Sequence, residues 1–259
     1  MKKGSYNCHF IGNVNNPKVV LIHGMGFYWE KCFTPIIEAL ELEYCLIIPE
    51  LEGHHNKSEK TDIKIADCVN RLEQELTSNN IKQVDVVYGI SFGASIAAEF
   101  ACNGKIKVNN LILDGAMFVD QGLMSWFSAL IMAWQFKRIL SDKPMFSYIK
   151  KQMGYTTKDE ITILKPLMCN PISFQTLRKS AYECYRYDIT KKNKIESNVR
   201  FIYGSGESFP AQSEEIIAGC TPKLINSKIY DNKGHAEILS CYPEKIVTVS
   251  YTHLRAHET

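Results

Sequence analysis

Six short runs of apolar or β-branched residues recur along this sequence: Val19 to Ile22, Tyr44 to Ile48, Val84 to Tyr88, Val108 to Leu113, Val199 to Tyr203 and Lys228 to Tyr230. They are apolar without alternation, as strands buried on both faces are. Helical patterns separate several of them. In IKIADCVNRLEQELTSNN, for example, Ile65, Val69, Leu72 and Leu76 recur at steps of three and four and fall on one face. Strands alternating with helices predict an α/β fold, with a mostly parallel central sheet and helices on both faces.

The alternation stops after the strand ending near Asp114. Residues 116–198 read as helices without a convincing strand, which predicts a helical lid inserted over the C-terminal edge of the sheet. The expected division is a core of 1–115 and 199–249, interrupted by the lid at 116–198. Within the lid, GLMSWFSALIMAWQFKRIL is too short an apolar run for a membrane helix, which needs roughly 20 residues. It is expected to form the inner face of the lid, with a share of Trp126, Phe127, Leu130 and Trp134 packing within the lid itself. The last stretch, 250–259, lacks periodicity and resembles translated read-through of a sequencing adapter. It is set aside as a non-native tail, along with its His253 and His257; Leu254 packed in the core would reverse that reading.

Composition narrows the function. Lys and Arg number 30 against 28 Asp and Glu, a net charge of +2 that gives no electrostatic case for a nucleic-acid partner. A small-molecule substrate is the better expectation. The N-terminal MKKGSYNCHF has no apolar segment behind its lysines, so no secretion signal is read and a cytoplasmic location is expected. Nine cysteines without a C-x-x-C pair suit buried reduced thiols better than disulfides or a metal site.

The chemistry concentrates at Gly89-Ile90-Ser91-Phe92-Gly93, between the apolar run Val84 to Tyr88 and the helix-forming FGASIAAEF. A serine there can simply cap the helix. Alternatively it is a nucleophile on a strained strand-to-helix turn, flanked by glycines because side chains there would strike the neighbouring strand and helix. Two further features favour the second reading. The strand KVVLI runs into His23-Gly24-Met25-Gly26, a loop able to aim a backbone N–H at a developing oxyanion. His235, in YDNKGHAEIL after the last strand, is the only histidine beyond Ser91 outside the suspect tail.

With these pieces in this order, the chain resembles the α/β-hydrolase family over nearly its full length. The likeness rests on the HGMG loop, the GISFG elbow, the terminal GH, and PELEGHHNKS, which is similar to the family's P-D-x-x-G-x-G-x-S. It implies a catalytic triad in the chain order Ser, acid, His, and no cofactor. Ser91 would be the nucleophile and His235 its base, with an oxyanion hole from the N–H groups of Met25 and Phe92. The acid is expected after VRFIYG, where Glu207 stands in the place that most members give to Asp. Asp114 is the alternative, and Asp231 is too close to His235 in sequence to be preferred. His23 would order the oxyanion loop, and His54 and His55 would be turn residues, with His55 in place of a frequent glycine.

The implied activity is that of a serine esterase cleaving a small to medium ester or thioester with an apolar part, through an acyl-enzyme on Ser91. Carbon–carbon bond hydrolysis and cofactor-free haloperoxidation on the same triad stay open, as does a non-catalytic receptor of the same fold. A serine nucleophile argues against dehalogenase chemistry, which needs a carboxylate.

Overall fold

The computed structural model describes residues 7–55 and 63–248. The 250–259 tail with His253, Leu254 and His257, the Asn56–Ser58 end of PELEGHHNKS, and the two N-terminal lysines lie outside the described residues.

Among the described residues, seven strands form one sheet in the order β1-β3-β2-β4-β5-β6-β7. They are β1 (Cys8–Ile11), β2 (Lys18–Ile22), β3 (Cys45–Pro49), β4 (Gln83–Ile90), β5 (Lys107–Asp114), β6 (Asn198–Gly204) and β7 (Asn226–Tyr230). All neighbours pair in parallel except β1 with β3, where Cys8 to Ile11 run antiparallel to Pro49 to Leu46. This antiparallel edge strand was not expected from sequence: its four half-buried residues are too short a run to signal a strand.

The interior strands are buried because helices cover both faces. Helices α1 (Trp29–Leu40), α2 (Ile65–Ser78) and α3 (Phe92–Asn103) follow β2, β3 and β4. The face predicted for α2 is the one it buries: Ile65, Val69, Leu72 and Leu76 all point inward. In α3 the small residues Ala94, Ala97 and Ala98 are all buried, bringing that helix close against the sheet.

Between β5 and β6 come α4 (Ser125–Leu140), α5 (Ser147–Gln152), α6 (Glu160–Leu164) and α7 (Phe174–Arg186), with short 3-10 turns and no named strand among the described residues. Helix α4 separates small and large side chains between its faces. It buries Ala129, Ala133, Phe136 and Ile139, whereas Trp126 and Trp134 face solvent. Trp134 is occupied laterally, against Phe146 and beneath the Arg138 guanidinium. Small residues at helical spacing let α4 approach its partner α7 closely, and the indoles are too large for that seam. Helix α8 (Ser208–Gly219) joins β6 to β7, and α9 (Glu237–Cys241) follows β7.

None of the nine cysteines forms a disulfide: seven are buried thiols, Cys8 is half-buried and Cys241 is exposed. No described helix is long and apolar enough to cross a membrane.

Candidate active site

The sheet order reverses between β2 and β4, which puts the loops after these strands side by side at the carboxyl edge, where parallel sheets bind ligands. Ser91 follows β4 directly, at φ 56° and ψ −118°, outside the regions an L-residue adopts at ease. Its N–H donates to the Asp114 carbonyl at 2.8 Å, tying the turn to the end of β5.

The flanking glycines are steric necessities. A Cβ on Gly93 would collide with the carbonyl groups of Ile22 and His23, coming within 2.8 Å of the Ile22 carbonyl carbon. One on Gly89 would press into the Gly93 carbonyl and approach Ala97 Cβ to 2.8 Å. The start of α3 therefore sits against both its own strand and the end of β2. As the first residue of α3, Phe92 has an N–H without an intrahelical acceptor.

The HGMG loop is fixed from beneath by His23, which is fully buried. Its Nε2 accepts from the Leu51 N–H at 3.5 Å, which leaves Nδ1 to donate to the Gly24 carbonyl at 3.0 Å. Burial, assisted by the neighbouring His54, lowers its pKa to about 3, so the ring stays neutral and the tautomer holds. His54 is likewise buried, lowered to about 4, and bonded through Nδ1 to the Glu52 carbonyl at 2.9 Å. His55 contributes its carbonyl to Cys169 Sγ at 3.2 Å.

Glu207 lies three residues past β6 and His235 five past β7, and the structure brings them into direct contact. His235 Nδ1 is 2.6 Å from one Glu207 carboxylate oxygen, and the other oxygen accepts the Gly204 N–H at 2.8 Å. Both residues are buried. Burial draws the His235 pKa down, but the charge and hydrogen bond of Glu207, with the charge of Asp114 beyond, outweigh it, and the net displacement is upward.

Asp114 is close by but engaged elsewhere, accepting from the Tyr88 hydroxyl at 2.6 Å. Burial raises its pKa to about 7 against the Tyr88 hydrogen bond, with the Glu207 charge adding to the rise and His235 opposing it. Asp231 lines a separate depression beside Arg200 and Lys228.

Ser91, Phe92, Met25, Glu207 and His235 all border one cavity of about 430 Å³. Its remaining wall is mostly apolar, with Phe127, Ile131, Met132 and Phe136 from α4 and Ile149 from α5. Among the described residues, Glu207 is the only acidic side chain in the lining, and no Lys or Arg contributes to it.

One close neighbour of the pair, Gly115, went unrecognised in the sequence. A Cβ there would lie 2.9 Å from both Cε1 and Nδ1 of His235 and 3.2 Å from Glu207, so the imidazole rests on the bare backbone after β5. A glycine ending a strand in LILDG is the only signal that pointed to it.

A family model described as alpha/beta hydrolase fold matches residues 17–145. Among solved structures, a protein from Desulfitobacterium hafniense assigned to the alpha/beta hydrolase family is 36% identical, with a TM-score of 0.93 over 96% of this chain and 100% of that one. An enol-lactonase from Burkholderia xenovorans LB400 is 13% identical, with a TM-score of 0.74 over 96% of each chain. A thermophilic esterase from Thermogutta terrifontis is 17% identical, with a TM-score of 0.75 over 98% of this chain and 94% of that one. No match was found among curated proteins.

Proposed function

The chain belongs to the alpha/beta hydrolase fold family, and from that premise we propose that it is a serine hydrolase acting on a small to medium ester or thioester with an apolar part. One observation carries the reading: the 2.6 Å contact between His235 and Glu207, bordering an apolar cavity that Ser91 also lines. A serine hydroxyl at its ordinary pKa is a poor nucleophile and needs a base, and the base needs an anion to hold its tautomer.

In this mechanism Glu207 accepts the Nδ1–H of His235, leaving Nε2 to take the Ser91 proton as the oxygen attacks the carbonyl carbon. The resulting oxyanion is held by the N–H groups of Phe92 and Met25, each worth about 3 kcal/mol. His235 returns the proton to the departing alkoxide or thiolate. Water, deprotonated by the same ring, then releases the acid from Ser91.

The cavity wall supports an apolar group on the substrate, since Met, Phe and Ile side chains make up much of its described lining. The helices between β5 and β6 act as the lid. Met124, Phe127 and Tyr148 line the cavity and are also largely exposed, which suits an entrance for an apolar chain.

The test is labelling with a fluorophosphonate, together with hydrolysis of p-nitrophenyl esters of graded acyl length. Labelling at Ser91 with turnover of at least one ester is expected. Folded protein that neither labels nor hydrolyses any ester would overturn the reading in favour of a receptor. Labelling without ester turnover would direct attention to carbon–carbon substrates.

A further inference from the structure

The described lid segment does more than wall the cavity. Immediately after α5, residues 153–155 pass between the loop bearing Glu207 and the loop bearing His235. The His235 N–H donates to the Met153 carbonyl at 2.9 Å, and the Tyr155 hydroxyl donates to the His235 carbonyl. Both polar groups of the histidine's own main chain are thus held by one short segment from outside the sheet. Met153 also forms an isolated antiparallel bridge with Glu207.

The packing is tight enough to transmit position. Gly154, at φ 79°, lies against Gly206 and Gly234, the residues preceding Glu207 and His235, and a Cβ there would come within 2.8 Å of Gly206 and 2.9 Å of Gly234. A Cβ on Gly234 would in turn strike the Tyr155 ring at 2.6 Å. Tyr155 is fully buried, and Ala236 on the far side of the histidine is held at φ 57°, a conformation alanine does not choose unaided.

We infer that residues 153–155 are a strap that sets the His235–Glu207 geometry, with Tyr155 as a positioning residue that acts through the His235 main chain and touches no substrate. The inference rests on the proposed hydrolase mechanism for its kinetic consequence but not for its structural one. Met153 also lines the cavity, as do Tyr148, Ile149 and Gln152 of α5, so a substrate filling the cavity bears on the same segment that holds the pair.

Tyr155→Phe removes only the hydroxyl. A displaced base lowers the chemical step far more than binding, so kcat per fluorophosphonate-titrated site is expected to fall roughly tenfold to a hundredfold, with KM nearly unchanged. Independently of activity, the downfield proton resonance of His235 Nδ1–H, which reports its bond to Glu207, is expected to shift upfield and exchange faster. Tyr203→Phe, which removes another buried tyrosine hydroxyl, bonded to Glu214 and outside the cavity lining, controls for general loss of stability and should leave both readouts in place.

If kcat per site and the Nδ1–H resonance both match wild type, the strap is overturned even where the melting temperature drops. If folded wild type neither labels with the fluorophosphonate nor hydrolyses any ester, the hydrolase reading fails and the resonance alone decides the strap. Should the variant not fold, hydrogen exchange of wild type before and after phosphonate labelling decides instead. Slowed exchange in 147–155 together with 233–237 is expected, and slowing in one segment without the other would overturn the inference.

Discussion

Replacing Glu207 with Gln preserves volume and removes one negative charge, and its surroundings leave the amide no harmless orientation. One carboxylate oxygen accepts the Gly204 N–H and the other faces His235 Nδ1, at 2.8 and 2.6 Å. With the amide oxygen on Gly204, the NH2 confronts Nδ1, and the ring proton must move to Nε2, the nitrogen that should accept from Ser91. With the amide reversed, two donors meet at Gly204. The electrostatic loss is of similar consequence: opposite unit charges about 4 Å apart are worth roughly 4 kcal/mol at the effective dielectric of a protein site. At about 1.4 kcal/mol per decade, that is close to three decades in rate. A fall in kcat of about a thousandfold is therefore expected, with KM changed little because the apolar wall is intact. Initial rates with p-nitrophenyl butyrate on site-titrated enzyme measure it. Asp114→Asn is the comparison, since an amide oxygen can still accept from Tyr88, and it should retain most of the rate. A Glu207→Gln enzyme keeping more than about a tenth of wild-type kcat, or Asp114→Asn proving the crippling change, would refute the assignment of Glu207 as the acid.

Three further outcomes follow from the same geometry. Ser91→Ala should abolish ester turnover while leaving the melting midpoint nearly unchanged, because the strain at φ 56° belongs to the backbone and alanine shares it; substantial residual rate on every ester would count against Ser91. The proposed base works when neutral, and the His235 pKa is displaced upward, so kcat/KM should rise with pH through an apparent pKa above that of an ordinary imidazole. In Glu207→Gln that midpoint should move down, as burial then acts with less opposition, and a pH series on both proteins checks the sign. Gly93→Ala drives a Cβ into the Ile22 and His23 carbonyls and should cost about 3 kcal/mol or more in urea unfolding, whereas a neutral effect would contradict the packing described for the elbow.

The sequence by itself determined the parallel sheet, the helices around it and the turn that presents Ser91. Those are local matters: a strand buried on both faces must be apolar along its whole length, a half-buried helix must repeat at three and four, and the elbow's backbone admits only glycine where strand and helix touch. The β1 edge escaped notice for the converse reason, since Cys8 to Ile11 are half-buried and carry neither pattern. In the sequence, Glu207 is preferred to Asp114 on the family's usual place for the acid alone, because no local pattern distinguishes the two. Both follow parallel strands, and only the spatial convergence of the loops after β6 and β7 puts Glu207 on Nδ1 while Tyr88 occupies Asp114. Gly115, Gly154 and Tyr155 were silent for the same reason. Their meaning depends on which backbone passes within 3 Å of which, and that distance is set by the packing of segments far apart in the chain, not by the residues next to them.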